Sequence, residues 1–203
     1  DTLAHIPLLI AWPGCPAGTR VSALTQTVDL YPTLLEILGA PLPDTGRLHG
    51  RSLAPLLRGE ADAGRDYAVS GYYGSRVAVR AEGWTLLRSQ DPARAPLYQY
   101  THDLQVLDRS HGARRRRPDA FVVPGLEAGR YIPGLDMPVW RVPEGRDWGP
   151  VHADLLFGPD DPAQEHDLAA ERPDRVRALE EILAAHAREI GAPEEIRRRL
   201  RIA

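Results

Sequence analysis

The N-terminal part of the chain alternates short apolar runs with turn residues. Residues 6–11 read Ile-Pro-Leu-Leu-Ile-Ala and end at a Trp-Pro-Gly turn. A run that is apolar on both faces is typical of a buried strand in a covered, parallel sheet. Residues 29–38 have apolar side chains at helical spacing, with Asp29 as the predicted N-cap and Gly39 as the end. Residues 51–58 predict a short helix, and a strand followed by helices favours an α/β arrangement.

The pattern changes to period two between residues 66 and 90. Apolar and polar side chains alternate there, and a Glu-Gly turn separates two of the runs. This predicts an antiparallel meander, to which residues 155–157 (Leu-Leu-Phe) add a candidate strand. Helical spacing returns over residues 173–190 and predicts a long helix across that sheet. Residues 194–200 predict a short basic helix.

Residues 101–150 follow none of these periods. They contain six prolines and many glycines, which predicts a long irregular insertion folded over the body. The chain therefore divides into residues 1–60, an edge of an α/β core, and residues 61–203, a C-terminal subdomain. We predict that the subdomain is α+β, a small antiparallel sheet packed with a long C-terminal helix.

Composition narrows the chemistry that this chain can perform. A hydrophobic fraction of 43% and a charged fraction of 26% in 203 residues are ordinary for a soluble globular protein. The net charge of -3 indicates no nucleic-acid partner. The sequence contains no run of about 18 apolar residues, so it predicts no membrane-spanning helix. All 25 Lys and Arg residues are Arg, and the sequence contains no Asn. The chain therefore has neither a lysine that could act as general acid nor an asparagine that could bind a metal. With one cysteine, Cys15, it has no internal disulfide or thiolate-rich metal site.

Four stretches carry motifs that occur together, in this order, in one family. Residues 6–14 resemble R-V-P-L-I-V-R-W-P-G, residues 28–35 resemble V-D-L-x-P-T-L-L, and residues 50–59 resemble G-R-S-L-x-P-L-L-x-G. More weakly, residues 156–169 are similar to L-Y-D-L-x-x-D-P-x-E-x-x-N-L-A, with Gln in place of the Glu and Asp167 in place of the Asn. The chain thus resembles the C-terminal part of a type I sulfatase, in the alkaline phosphatase-like superfamily.

The resemblance implies the fold and the chemistry of that family. It implies the last strand and helix of an alkaline phosphatase-like core, followed by the small sheet and long helix. It also implies hydrolysis of sulfate esters by a formylglycine made in C-x-P-S-R, beside Ca²⁺ or another divalent cation held by Asp and Asn. Lys and His then stabilise the sulfate and protonate the leaving group. In the family these residues precede the stretch that matches residues 6–11, so we predict no catalytic residue and no metal ligand in this chain.

The sequence around Cys15 does not match the motif in which formylglycine is made. A proline follows it directly and the next arginine is Arg20, five residues on, whereas C-x-P-S-R has its arginine four residues on. The family's W-P-G-x-x-P-A-G-x-R makes Cys15 a variable turn position. We therefore predict an inert turn cysteine.

Four residues are candidates for substrate binding. His5 stands where the family often has Arg, at the entry to the predicted strand. Tyr72, Tyr73 and Arg76 occupy a loop between strands. In related sulfatases C-terminal loops help to shape the pocket, and an aromatic pair with Arg suits a sulfated ligand. A hydrogen-bonded strand-end histidine and sheet-surface packing remain the alternatives.

Other polar groups are predicted to be structural or solvated. Their spacing matches no metal site, and the arginine run has acidic neighbours. They are His102, Asp103, His111, the run Arg114–Arg117, His152, Asp154 and His166.

The sequence therefore predicts the C-terminal part of a sulfatase, inactive when alone. Its partners would be the N-terminal catalytic part of the same enzyme and a sulfated small molecule or sugar. One alternative is a stand-alone, non-catalytic module that binds sulfated or anionic ligands or a protein. Another is part of a related phosphonate or phosphodiester hydrolase. The sequence indicates no cellular compartment.

Overall fold

The computed structural model of the protein describes residues 4–43, 48–60, 64–71, 76–91, 98–102, 126–132, 136–143 and 153–202. Its helices are α1 (Leu30–Ile37), α2 (Ala54–Arg58), α3 (Pro173–Glu189) and α4 (Glu194–Arg199), and a 3-10 turn (Thr27–Asp29) precedes α1. Its strands are β1 (Tyr67–Gly71), β2 (Arg76–Ala81), β3 (Trp84–Ser89), β4 (Tyr98–Thr101), β5 (Glu127–Gly129), β6 (Val139–Pro143) and β7 (Leu155–Phe157).

The larger sheet has the strand order β1-β2-β3-β7, and every neighbouring pair is antiparallel. A two-residue turn joins β2 to β3. Both of its residues, Glu82 and Gly83, have positive φ (49° and 79°), as a tight hairpin between right-twisted strands requires. The predicted meander is confirmed, and so is the predicted strand over residues 155–157.

The core of the C-terminal part lies between this sheet and α3. Val79, Leu86 and Leu156 of the sheet are fully buried, and they belong to the same cluster as Leu179 and Leu183 of α3. Because these two leucines are four residues apart, they lie on one face of the helix. The last residues of the chain complete the cluster through Leu200 and Ile202. The predicted sheet with a long helix across it is therefore confirmed.

Helix α1 forms where the sequence predicts it and ends at Ile37, and Gly39 just beyond it has a φ of +66°. Its buried side contains polar groups beside Pro32, because Thr33 is 2% exposed and Asp29, just before the helix, is fully buried. Another side carries exposed apolar residues. We call this side the outer face of α1; it consists of Val28, Tyr31, Leu34 and Leu38, and all four are exposed.

Residues 6–11 do not form the predicted buried strand. The structure assigns no strand to them, and Leu9 is 89% exposed. A strand gains stability from ladder hydrogen bonds and from burial of its faces, and none of the described strands pairs with this segment. The predicted boundary between residues 1–60 and 61–203 stays a prediction.

The predicted irregular insertion is partly regular. Two of its described segments, β5 and β6, form a second antiparallel sheet with the order β4-β6-β5. Buried Val139 and Val142 anchor β6 on both faces. The prolines misled the prediction, because Pro138 and Pro143 stand just before and at the end of β6, where no ladder donor is required.

Candidate functional site

Asp29, the acid of the V-D-L-x-P-T motif, holds a buried polar cluster together. Its carboxylate accepts hydrogen bonds from the backbone N–H groups of Gln26 and Arg51, both at 2.8 Å. The guanidinium of Arg65 contacts both carboxylate oxygens, with Nε 2.8 Å from Oδ2. Asp29 was predicted to cap α1. Its side chain instead turns back to Gln26 and across to Arg51 and Arg65, and makes no cap bond to α1.

The charges in this Asp29 cluster stabilise one another. Burial raises the pKa of Asp29, but hydrogen bonds from Arg65, Arg51 and Gln26 outweigh it and leave that pKa below its ordinary value. The hydrogen bond to Asp29 raises the pKa of Arg65 in turn. Both groups are therefore ionised, and the carboxylate oxygens are already occupied by internal donors.

The second motif, G-R-S-L-x-P-L-L, docks onto the first. The hydroxyl of Thr33 donates to the carbonyl oxygen of Asp29 at 2.5 Å and accepts from the N–H of Leu53 at 2.8 Å. Gly50 passes so close to Val28 that a Cβ at this position would overlap the Val28 carbonyl group. The polar residues of the two motifs thus join α1 to α2.

A second buried cluster lies between β3, β7 and the C-terminus. Arg88 of β3 is only 7% exposed, and its Nη1 is 2.7 Å from Oδ2 of Asp154 and also contacts Glu180 of α3. Its Nε donates to the carbonyl oxygen of Leu200 at 2.8 Å. Arg201 contacts Asp154 from the other side. Sequence reasoning missed Arg88, although an arginine inside the run Trp-Thr-Leu-Leu-Arg-Ser is the signal that could have indicated it.

Two aspartates shape the loop after β7. Asp161 accepts hydrogen bonds from the N–H groups of Glu165 (3.1 Å) and His166 (2.9 Å), with that from His166 contributing most to lowering the pKa of Asp161. Asp167 Oδ1 accepts from Leu156 and Ala169, both at 3.0 Å. The position of Asp167 needs only an acceptor oxygen, which explains why Asp serves where the family motif has Asn.

The predicted substrate-binding residues are only partly within the described structure. Arg76 begins β2, where its Nη2 is 3.3 Å from the carbonyl oxygen of Ala153 and its Nε is 3.4 Å from Ser89 Oγ. His5 is exposed before residues 6–11. Tyr72 and Tyr73 lie outside the described residues. No described contact joins His5 to Arg76, and a binding role for these four residues stays a prediction.

Cys15 lies in the predicted turn. Its N–H donates to the carbonyl oxygen of Trp12 at 3.0 Å, and Gly14 before it has a φ of +101°. The turn is confirmed, whereas the inertness of the thiol stays a prediction.

The remaining candidates divide between described and undescribed parts. Asp154 and His166 have the structural contacts given above. The part of the chain that the structure describes contains no group of three or more His, Cys, Asp or Glu that could hold a metal ion. His102 is exposed and directly follows β4. The others lie outside the described residues: Asp103, His111, Arg114–Arg117 and His152.

Residues 1–107, which is more than half of the chain, match the family model described as N-sulphoglucosamine sulphohydrolase, C-terminal. The chain belongs to this family. The resemblance to the C-terminal part of a sulfatase is thereby confirmed. Both polar motifs of the Asp29 cluster lie inside the matched stretch, whereas β5, β6, β7, α3 and α4 lie beyond it.

Curated relatives of this sulfatase C-terminal family member include arylsulfatase K from several vertebrates. The human protein is 53% identical over 56 residues, which is 28% of this chain and 10% of the human one. The zebrafish protein (Danio rerio) is 35% identical over 102 residues, or 46% of this chain and 19% of that one. Mouse arylsulfatase G is 32% identical over 83 residues, covering 37% of this chain and 16% of its own. The chain therefore matches less than a fifth of the length of these relatives.

Solved structures give a weaker likeness. Two Bacteroides thetaiotaomicron chains, described under the metabolism of multiple glycosaminoglycans, have TM-scores of 0.48 and 0.43 at 16% and 18% identity. The alignments cover 85% and 77% of this chain but 28% and 24% of the others. Among the described residues of the family member, no helix combines the length and apolar character that a membrane crossing requires.

Proposed function

We propose that this chain is the C-terminal part of a sulfuric ester hydrolase, in which it supports and completes the catalytic part and does not itself carry the reacting groups. The Asp29 cluster is the observation that carries this proposal. The carboxylate of Asp29 in the V-D-L-x-P-T motif accepts hydrogen bonds from Arg65, Arg51 and Gln26. In this proposal the motif by which the family is recognised is therefore structural. The sequence contains no Lys and no Asn, so two kinds of side chain that the family uses for catalysis and metal binding are absent from this chain.

The cation and formylglycine that the family implies do not fit the described residues. Hard cations need several oxygen ligands converging on one point. The buried carboxylate of Asp29 and the partly buried carboxylate of Asp154 instead contact arginines, and the Asp161 carboxylate accepts hydrogen bonds from backbone N–H groups. We therefore assign both groups to the catalytic part and derive no step through them here.

The exposed apolar surface supports a docking role. The outer face of α1 and the segment of residues 6–11 together expose Leu9, Leu34 and Leu38 by 89%, 56% and 75%. Large apolar side chains exposed in this way favour an interaction site. The occupant that we propose is the catalytic part of the same enzyme, since the matched relatives are at least five times longer than the stretch they share with this chain.

The proposal is tested by assaying the purified 203-residue chain with p-nitrophenyl sulfate beside the enzyme expressed from the whole reading frame. We expect turnover from the whole enzyme only. A Cys15→Ala variant of the chain, purified identically, is the matched control. Turnover by the chain that disappears with Cys15→Ala, together with a mass shift for formylglycine at residue 15, would overturn the proposal.

The sequence upstream of residue 1 in the gene provides an independent test. An in-frame continuation containing C-x-P-S-R supports the sulfatase. A start codon directly before residue 1 would instead favour a stand-alone module that binds anionic ligands or a protein. Assays of the whole enzyme on matched sulfate, phosphonate and phosphodiester substrates separate a sulfatase from the related hydrolases of the superfamily.

The four predicted pocket residues are part of the same proposal. Changing Tyr72, Tyr73 or Arg76 in the whole enzyme should raise KM for a sulfated sugar more than it lowers kcat, because these groups would bind substrate without reacting. The same holds for His5. KM values equal to that of the parent enzyme in all four variants would show that these residues do not bind substrate.

A further inference from the structure

The C-terminal end of α3 meets the start of β1 through a set of titratable side chains. His186 and Glu189 are three residues apart, so they lie on one face of the helix. The ring of Tyr67 meets that of His186 edge-on, with centroids 5.6 Å apart. The Tyr67 hydroxyl donates to Oε2 of Glu189 at 3.2 Å and lies 3.3 Å from Nδ1 of His186. We call His186, Glu189, Tyr67, Arg65 and His49 the His186 junction.

The side of the junction opposite α3 is fixed. The guanidinium of Arg65 contacts both carboxylate oxygens of buried Asp29, and the Arg65 side chain is only 10% exposed. Nη2 of Arg65 also donates to the carbonyl oxygen of His49 at 2.9 Å, which keeps His49 beside it. The positive charge of Arg65 therefore stays in place unless the Asp29 cluster breaks.

The charges that face His186 disfavour a proton on its ring. Burial lowers the pKa of His186, and the charges of His49 and Arg65 lower it further, whereas Glu189 opposes them. Arg51, which is exposed, adds positive charge on the β1 side of the junction. A second cation is thus disfavoured next to the guanidinium that Asp29 holds.

The packing around His186 offers little solvation for a charge. Ala81 of β2 lies opposite Tyr67 in the register and is 4% exposed. On α3, Leu183 and Ala187 are 2% and 4% exposed, and both belong to the core cluster on which Tyr67 packs. A protonated ring at position 186 therefore gains solvation by leaving the junction.

The end of α3 is the part of the junction that can move. Ile190, the C-cap, is 37% exposed, and its N–H donates to the carbonyl oxygen of His186 at 3.0 Å. The body of α3 is instead held in the core by Leu179 and Leu183, and Leu200 anchors the chain after α4. Helix ends open at a lower free energy than core elements, so this turn can open by itself.

We propose that the His186 junction is a pH-sensitive switch: when His186 takes up a proton, the last turn of α3 leaves Tyr67 while the larger sheet and the rest of α3 stay folded. Above about pH 6.5 the neutral ring keeps the junction closed. As the pH falls from there towards the lowered pKa of His186, the opening equilibrium rises by up to about tenfold per pH unit, because only the open form binds the proton. The switch rests on contacts within this chain and does not depend on the proposed function.

Hydrogen exchange of backbone amides, followed by mass spectrometry on the 203-residue chain at pH 8 and pH 5, tests the switch. Each rate is divided by the intrinsic rate of that amide at the same pH, which leaves the protection due to structure. We expect residues 186–190 to lose protection at pH 5 by at least about threefold. Residues 84–89 of β3 and 176–183 of α3 should keep theirs, because both belong to the core.

Variants show whether His186 is the group that responds. His186→Phe keeps a ring against Tyr67 but takes up no proton, so residues 186–190 should have equal protection at both pH values. Glu189→Gln removes the carboxylate that favours a charged ring, so its loss of protection at pH 5 should be at least as large as that of the parent chain. His166→Gln is the matched control for the loss of a histidine, since His166 is 78% exposed on the loop after β7, and residues 186–190 should still open at pH 5 in this variant.

Four results overturn the proposal. They are equal protection of residues 186–190 at both pH values in the parent chain, an equal loss of protection in β3, a pH-dependent loss that persists in His186→Phe, and a smaller loss in Glu189→Gln. Circular dichroism at pH 8 checks that each variant is folded. If His186→Phe fails to fold, His186→Gln decides by the same criterion, since its amide is neutral as well.

Discussion

The carboxylate of Asp29 and the guanidinium of Arg65 form a buried ion pair across 36 positions of the chain. Their side chains are 0% and 10% exposed. Arg65 stands just before β1, so the pair connects the start of α1 to the edge of the larger sheet. The side chain of Gln26 reinforces this connection by donating to the carbonyl oxygen of Val69 in β1 at 2.5 Å. The two parts of the chain are thus joined by polar contacts beneath the exposed outer face of α1.

Removing the acid of this pair should strongly destabilise the protein. Asp29→Ala leaves the Arg65 charge and two backbone N–H groups buried without their acceptor, and loss of one partner of a buried ion pair costs about 3 to 5 kcal/mol. Urea unfolding followed by circular dichroism measures this as a lower free energy of unfolding.

The matched control for that measurement is the exposed pair of Arg198 and Glu194, whose side chains are both 63% exposed. Glu194→Gln should change the free energy of unfolding by less than about 1 kcal/mol. Equal effects of the two substitutions would mean that burial does not strengthen the Asp29 pair.

Gly50 should tolerate no side chain. A Cβ there would overlap the Val28 carbonyl group and lie 3.0 Å from Cγ of Pro32, so Gly50→Ala must displace backbone. Overpacking of this kind typically costs about 1 to 3 kcal/mol, which thermal unfolding would register as a lower Tm. Gly158→Ala is the control, because its nearest new contact is the flexible end of Leu168 at 3.4 Å. A Tm that falls equally in both variants would contradict the clash.

The sequence predicts local structure well wherever one period runs uninterrupted. The meander, the strand over residues 155–157 and the long helix α3 all follow from spacing, because each buries one apolar face. The strand predicted over residues 6–11 does not form, and the apolar pattern alone could not have shown this. An apolar run specifies a preference for burial, but a strand also needs a neighbouring backbone, which lies outside the information in a local pattern.

The polar clusters were harder to foresee than the apolar core. Asp29 was recognised within a motif, yet its partner Arg65 lies in a small, polar stretch that looks like a linker. The packing of Arg141 against Tyr98 depends on the pairing of β4 with β6, whose residues are far apart along the chain. Neither pairing has a periodic signal, because each is specified by the tertiary fold and not by spacing along one element.

Arg88 should matter for stability much more than a surface arginine. Arg88→Met leaves Asp154 and Glu180 without their shared cation and removes the donor to Leu200. We expect a loss of about 3 kcal/mol or more in the free energy of unfolding. Arg177→Met is the control, since Arg177 is exposed on the same helix as Glu180. A Met that preserves full stability at position 88 would show that the apolar stem, and not the charge, holds this junction together.

His186 should make the protein less stable as the pH falls. Burial lowers the pKa of His186 below 6.5, helped by His49 and Arg65 and opposed by Glu189, and its Nδ1 is 3.3 Å from the Tyr67 hydroxyl. Between this lowered pKa and about 6.5, the unfolded chain binds more protons than the folded one, so stability increases with pH.

The measurement is the urea midpoint from pH 8 to pH 5 for the parent chain and His186→Gln. Above about 6.5 the contribution of His186 is fully present, and it is lost as the pH falls through that value towards the lowered pKa. Gln cannot gain a proton, so its variant should lose less stability over the same interval. His166→Gln is the matched control for the loss of an exposed histidine side chain, since that of His166 is 78% exposed. If His186→Gln were to have the same slope as the parent chain, the acid sensitivity would have to arise from another group.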